Sequence, residues 1–292
     1  EELTTLIYGH FNIYPIKQDT TKSNMGAHVW YQQSPPKMFA EVKKTWPSSI
    51  TQVNHPRSAA MGGYFTYVGW DPKTGAFSTK KKDQWSNNFD AFEVFNSGYY
   101  SPTRAEVLDW YSFLDRGFLV TGTGNSDSHK ALNSEVGWPR NYVKLSTDTP
   151  ANVSLSEFTK SIKEQKVIIS GGIFVTAAIG AKGMGEVVDA SSTGPSGGKV
   201  QLDVKVQAPT WIKATTLVII MGGVEVKTIT LDSTTADPSN PVIRYNGKIE
   251  LLPAKDTYVH VAVTGSGSLA PVSRGSPFAM TNPIYLDVDG NG

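Results

Sequence analysis

Apolar and polar positions follow two different periods along the chain, and the change falls near residue 178. Before it, segments typical of strands alternate with segments typical of helices, which is the pattern of an α/β domain. The predicted strands are 6–16, 50–53, 89–95 and 118–121, and helices are predicted after Ser34, over 103–115 and after Ser154. The helix over 103–115 has the clearest signals, since Thr103 and Glu106 form a capping-box pattern and Gly117 follows its end.

A stretch rich in Gly and Ser at 180–198 is followed by a period of two. Val200, Leu202, Val204 and Val206 alternate with polar residues, which indicates a half-buried strand. Short alternating strands continue to the end, so this part is predicted to be an all-β sandwich. The predicted organisation is therefore an α/β domain at 1–178, a transition at 179–198 and a β-sandwich at 199–292.

Composition and charge exclude some classes of function. The 292 residues suffice for two domains, and 27 Lys and Arg against 26 Asp and Glu give a net charge of +1. That balance gives no reason to expect nucleic acid or an anionic membrane as partner. The absence of cysteine excludes disulfides and thiolate metal sites, and it is as compatible with a secreted or periplasmic location as with the cytosol. No membrane span is predicted.

Polar side chains follow three of the predicted strands. His55 follows 50–53, Asn96 ends 89–95 with Glu93 inside that strand, and Asp127 and His129 follow 118–121. Polar residues at the C-terminal ends of parallel strands face the ligand crevice of α/β domains. These residues are therefore candidate metal ligands, with Glu93 and Asn96 expected to support them. His28 lies in a loop and His260 on the polar face of an alternating strand, so neither is expected to bind metal.

Several short motifs resemble the PHP (polymerase and histidinol phosphatase) superfamily of metal-dependent hydrolases. They are Asn54-His55-Pro56-Arg57, Phe92-Glu93-Val94-Phe95-Asn96 and Gly124-Asn125-Ser126-Asp127-Ser128-His129, in that order. Three further stretches are similar to the branch related to carbaryl hydrolase: Gly9-His10-Phe11-Asn12, Gly137 to Val143 and Thr281 to Tyr285.

The resemblance implies a distorted (β/α)7 barrel, here its C-terminal half over 1–178, that binds two or three divalent ions of Zn, Mn or Fe. It implies the metal ligands Glu2 (with Glu1 as the alternative), His10, His55, Asp127 and His129. The implied activity is hydrolysis of a small-molecule phosphoester by metal-activated water, with a carbamate, ester or amide substrate as the alternative. A binding protein that uses its β-sandwich as an interaction module is the alternative outside enzymes.

The chain departs from the family at its start. The family's His-x-His strand is absent, and the chain begins at about the position of the bridging Glu. An upstream segment of the same protein is therefore expected to supply the remaining ligands, and the activity of this chain alone is in doubt.

Two arginines and the tail complete the candidates. Arg57 and Arg140 are each expected either to hold an anionic substrate oxygen or to form a structural ion pair. The tail from Asp287 to Gly292 matches the start of a calcium loop, but a polar turn is the favoured interpretation. Other acidic residues after 199, such as Asp203, Glu225 and Asp256, are expected to be scattered.

Overall fold

The fold is known from a computed structural model that describes residues 1–58, 62–96, 101–130, 136–192, 198–273 and 275–291. Strands hold 35% of the residues and helices 18%, so the protein is mostly β. In these described ranges, no helix is long and apolar enough to cross a membrane.

The helices are short and the strands numerous. The α-helices are α1 (Pro35–Thr45), α2 (Tyr64–Val68), α3 (Ala105–Leu114) and α4 (Leu155–Lys163), and the 3₁₀ helices are Ser23–Gly26, Thr79–Gln84 and Pro150–Asn152. The strands are β1 (Glu2–Thr4), β2 (His10–Tyr14), β3 (Ile50–Val53), β4 (Ala91–Asn96), β5 (Thr121–Asn125), β6 (Arg140–Val143), β7 (Val167–Gly171), β8 (Phe174–Ile179), β9 (Val187–Asp189), β10 (Val200–Gln207), β11 (Lys213–Met221), β12 (Val224–Thr230), β13 (Ile243–Leu251), β14 (Thr257–Ser266), β15 (Phe278–Thr281) and β16 (Ile284–Asp287).

The chain forms two compact units. Unit 1 comprises 1–94, 103–122 and 144–163, and unit 2 comprises 95–102, 123–143 and 164–292. Both units thus contain residues from before position 178. The domain boundaries inferred from sequence stay predictions, and residues 193–197 of the predicted transition lie outside the described residues.

Unit 1 is built on a sheet with one apolar and one polar face. The sheet has the strand order β1-β2-β3-β4-β5, and unit 1 contains β1 to β3, most of β4 and the start of β5. Its apolar face carries Phe11 and Phe92, which belong to a cluster of buried aromatic rings that also includes Phe39, Phe65 and Phe113. Edge-to-face and tilted contacts of this kind add to the stability from burial alone.

Unit 2 contains two further sheets. One has the order β13-β10-β8 and is antiparallel throughout. The other runs β12-β11-β14-β15-β7-β6, and β16 pairs with β14 and β9. β8 contacts β14 and β15, so the two sheets bury apolar residues between them. After residue 199, the described chain forms strands and no helix.

The predicted α/β architecture, a partial (β/α)7 barrel, is wrong: the protein is a mostly β structure with three sheets. A barrel needs neighbouring parallel strands joined by long crossovers. Instead β2 is antiparallel to both of its neighbours, β1 and β3, and in this sheet β3 pairs with β4 in parallel. β7 and β8 are separated by two residues, too few for a crossover, and each pairs antiparallel with a strand from beyond residue 199.

Candidate functional site

The polar face of the sheet in unit 1 gathers side chains from three strands. Because side chains alternate along a strand, His10, Asn12 and Tyr14 share one side of β2 while Phe11 and Ile13 occupy the other. The strand pairing places Gln52 and Glu93 on the same side as Asn12. Gln52 and Glu93 are nevertheless buried. Burying polar groups costs free energy of folding unless they have hydrogen-bond partners. A face that buries several of them together is therefore a candidate site.

Hydrogen bonds connect the polar groups along this face. Tyr14 Oη donates to Gln52 Oε1 at 2.9 Å, and Gln52 Nε2 donates to Asn54 Oδ1 at 3.0 Å. Burial and the nearby acidic groups Asp90 and Glu93 raise the pKa of Tyr14 above its ordinary value. Tyr14 therefore stays a neutral donor, and the chain of bonds holds the end of β3 in place just before His55.

Two histidines meet at one end of the polar face. His10 begins β2, and His55 follows β3, where Asn54 N donates to His10 O at 2.9 Å. His55 Nε2 lies 3.1 Å from His10 Nδ1, and the rings are edge to face with centroids 4.7 Å apart. At that distance one nitrogen carries a proton, because two facing lone pairs would repel. The ring that carries this proton can move it to its other nitrogen by a change of tautomer. Both facing nitrogens can then bind a cation through their lone pairs.

Glu2 and Glu93 hold this pair from two sides. Glu2 Oε1 lies 3.0 Å from His10 Nδ1. Glu93 Oε2 accepts a hydrogen bond from the backbone N of His55 at 2.6 Å. The Glu1 carboxylate instead accepts from the His28 backbone N at 3.1 Å, so of the two alternatives for the carboxylate ligand it is Glu2 that contacts His10.

His55 has a backbone conformation that side chains rarely adopt. Its φ is 29°, in the left-handed region that favours glycine, and Asp127 has a φ of 48°. Such strain costs on the order of 1–3 kcal/mol and persists where surrounding contacts enforce it, often at functional sites. At His55, the hydrogen bond to Glu93 is one contact that enforces it.

The histidine pair has a geometry that suits a transition-metal ion. With metal–nitrogen bonds of about 2.0–2.1 Å, two nitrogens on one tetrahedral ion are roughly 3.3 Å apart. The observed 3.1 Å is close to that separation. Glu2 Oε1 lies 3.0 Å and His55 Nε2 lies 3.1 Å from His10 Nδ1, so the two imidazoles would hold the ion and Glu2 would orient the ring of His10.

Asp127 and His129 form a separate pair in unit 2. His129 Nδ1 lies 2.7 Å from the backbone O of Asp127 and 3.5 Å from its Oδ1. His129 is largely exposed, whereas Asp127 is partly buried. The structure thus brings Glu2, His10 and His55 together with Glu93, and it brings Asp127 and His129 together. That all five ligands share one metal cluster stays a prediction. Asn96 ends β4, as expected.

Two expectations about the β-rich part are wrong. Asp256 is not scattered: its carboxylate lies within 4.8 Å of those of Asp287 and Asp289, a grouping of three possible ligands found among the described residues. Hydrogen bonds from the backbone N of Val288 and of Asp289 to Asp256 Oδ1 help assemble this cluster. His260 is not on the surface but is buried, because both faces of β14 are covered, and this burial lowers its pKa to about 3.

The two candidate arginines have different surroundings. Arg57 binds the fully buried carboxylate of Asp109 through Nε at 2.7 Å and Nη2 at 2.5 Å, and Nη2 also donates to Trp70 O. Burial raises the pKa of Asp109 to about 6, and Arg57 opposes that rise. Arg140 is exposed at the start of β6, and its Nε donates to Gly137 O at 2.6 Å. Of the two roles expected for Arg57, its contacts are those of a structural ion pair.

The polar face that surrounds the histidines was not predicted from the sequence. Tyr14, Gln52 and Asn54 belong to it and were not candidates. The alternation His10-x-Asn12-x-Tyr14 was present as a signal, since three polar or half-polar residues at a period of two indicate one polar side of a strand.

Comparisons with known proteins add little. No family model matches the sequence, and no curated protein matches it. A crystal structure of an engineered protein is similar over 70% of this chain, with 10% sequence identity and a TM-score of 0.23. The chain spans about half the length of that engineered protein. A similarity this weak identifies neither a fold nor a function.

Proposed function

We propose that this protein is a metal-dependent hydrolase whose site includes His10 and His55, with a phosphoester as its substrate. The observation that carries the proposal is the 3.1 Å approach of two imidazole nitrogens from positions far apart in sequence. Glu2 lies 3.0 Å from the same nitrogen of His10 and adds a carboxylate that can bind an ion or orient the ring. The resemblance to PHP hydrolases supports the same chemistry.

The roles of the residues follow from their contacts. His10 Nδ1 and His55 Nε2 would hold the ion, and Glu2 would either bind it or fix the ring of His10. Glu93 positions His55 through the bond to its backbone. When bound, the ion would lower the pKa of a water molecule towards neutrality and polarise the substrate oxygen. Asp127 and His129 are proposed as further ligands on the strength of the family motif alone.

Charge favours an anionic substrate. A phosphoester carries negative charge on its non-bridging oxygens, and a divalent cation with neutral imidazole ligands attracts it more strongly than a neutral carbamate or amide. The phosphoester therefore ranks first among the substrates, and cleavage of a neutral substrate instead is an outcome that the assay distinguishes.

Hydrolysis of a set of aryl substrates tests the proposal. The protein, dialysed free of metal and then supplied with Zn²⁺ or Mn²⁺, should release 4-nitrophenol from 4-nitrophenyl phosphate or its diester. Asp127→Asn should abolish this activity, because it removes a charged ligand and keeps the side-chain shape. Glu250→Gln, at an exposed ion pair with Lys199, is the matched control and should keep it. Metal-dependent cleavage of 4-nitrophenyl acetate or an aryl carbamate instead would overturn the assignment of a phosphoester substrate. The absence of any metal-dependent cleavage would overturn the proposal that the protein is a hydrolase.

A further inference from the structure

A pocket of about 550 Å³ lies in unit 2, built entirely from residues of that unit. Strands β6 and β7 provide one side, and the other sides come from the turns at 207–212 and 269–273. A volume of a few hundred Å³ is the usual size of a pocket for a small organic ligand. None of the histidines lines it.

The floor of the pocket depends on a glycine between β7 and β8. Gly172 has a φ of +106°, and a Cβ placed on it would lie 3.1 Å from Ile212 Cδ1 and 3.2 Å from Leu269 Cδ2. Ser170 Oγ fixes this turn by donating to Ile173 O and accepting from Gly172 N. The two apolar side chains can therefore pack directly onto the backbone, which gives the pocket a firm apolar floor.

Aromatic and aliphatic side chains form the walls. Tyr142 and Phe174 are edge to face with centroids 5.1 Å apart. Trp211 is 54% exposed and Val272 is 62% exposed, both lining the same pocket. Large apolar side chains that are left exposed around a concavity are typical of a binding site. Tryptophan and tyrosine favour flat, aromatic ligands because they can stack or meet them edge to face.

Arg140 is the charged residue among those that line the pocket, and no acidic residue lines it. It pairs with Ser170 across β6 and β7, and it shares the exposed side of β6 with Tyr142. Its Nε is held by Gly137 O at 2.6 Å, which fixes the orientation of the guanidinium plane. Within the described parts of the chain, the Nη groups of Arg140 make no hydrogen bond or ion pair, so they can bind an anion.

We propose that this pocket binds an organic anion with a flat aromatic body, such as an aryl carboxylate or aryl sulfonate. The walls take the aromatic body, and the Arg140 guanidinium binds the anionic group. A sugar would need several polar partners, whereas most of the lining residues are apolar or aromatic. The proposal is independent of the histidine pair and of the hydrolase activity.

Two probes that share an apolar body but differ in charge test the proposal. The first is 8-anilinonaphthalene-1-sulfonate, and the second is the neutral N-phenyl-1-naphthylamine. Titration calorimetry of the native protein should give one site for the anionic probe. Arg140→Gln should weaken binding of that probe by about two- to fivefold, as for an exposed charge pair, and should leave binding of the neutral probe unchanged. Trp211→Ala should weaken both probes, since it removes an aromatic wall.

Matched controls keep the result specific. Lys227→Gln removes a positive charge on β12, away from the pocket, so this variant should bind the two probes like the wild type. Circular dichroism and the melting temperature of each variant show whether it is folded, since partly unfolded proteins also bind such dyes. Equal loss of both probes in Arg140→Gln, or unchanged anionic binding in Trp211→Ala, would overturn the proposal.

Discussion

His55 Nε2 lies 3.1 Å from His10 Nδ1, although 45 residues separate them in the chain. The contact exists because β2 and β3 are antiparallel neighbours, so the start of one lies beside the end of the other. Glu93, from β4, bonds the backbone of His55, and Glu2, from β1, contacts His10. Four neighbouring strands thus each supply one part of the candidate site.

The unusual backbone of His55 leads to a first prediction. His55→Gly and His55→Ala both remove the imidazole, but glycine adopts a φ of 29° without strain. We expect the glycine variant to be more stable than the alanine variant by about 1 kcal/mol, the reverse of their usual order. Urea unfolding of the two variants measures the difference. An alanine variant as stable as the glycine variant would mean that the turn relaxes without cost.

The ion pair of Arg57 with Asp109 leads to a second prediction. Arg57→Met leaves the Asp109 carboxylate buried without its partner, so we expect a loss of about 3–5 kcal/mol in the free energy of unfolding. Adding Asp109→Leu should restore most of that loss, because the double variant buries no unpaired charge. Urea unfolding of both variants tests this. A single variant within about 1 kcal/mol of the wild type would instead favour a role for Arg57 in substrate binding.

The buried His260 leads to a third prediction, on pH dependence. Its pKa is lowered to about 3 in the folded protein, against an ordinary value of about 6.5 in the unfolded chain. Between these values the unfolded state binds a proton that the folded state does not, so stability falls as the pH drops below about 6.5. The slope contributed by His260 is at most about 1.4 kcal/mol per pH unit.

Replacement of His260 isolates that contribution. His260→Leu places an apolar side chain of similar size at this buried position of β14, and leucine cannot titrate. Urea unfolding at pH 7 and pH 5 should show a smaller loss of stability for the variant than for the wild type. Equal losses in His260→Leu and the wild type would contradict the burial of a neutral imidazole.

Local patterns in the sequence predicted single elements better than their arrangement. The helix predicted after Ser34 is α1, which begins at Pro35, and the strand predicted at 50–53 is β3. The direction of neighbouring strands was not predictable in this way, because a buried strand has the same pattern in a parallel and in an antiparallel sheet. The α/β architecture failed for that reason.

Burial and long-range contacts limited what could be said of the sites. His260 has polar spacing relative to Val259 and Val261, yet β14 is a central strand with both faces covered, so alternation did not imply exposure. The pocket beside Arg140 comes from turns that are distant in the sequence, and no local motif marks it. His55 was a candidate because it follows a predicted strand among small or polar residues, whereas His10 became a candidate only through the resemblance to PHP hydrolases.

The affinity of the protein for Zn²⁺ or Mn²⁺ tests the central claim most directly. Competition with a chromophoric chelator, on protein stripped of metal, should show at least one ion bound by the wild type. His10→Gln and His55→Gln should each weaken that binding by about 100-fold or more, because each removes a ligand. His28→Gln, which removes a histidine outside the pair, should bind like the wild type. Metal affinity that stays unchanged in both His10→Gln and His55→Gln, or a wild type that binds no ion, would contradict the account.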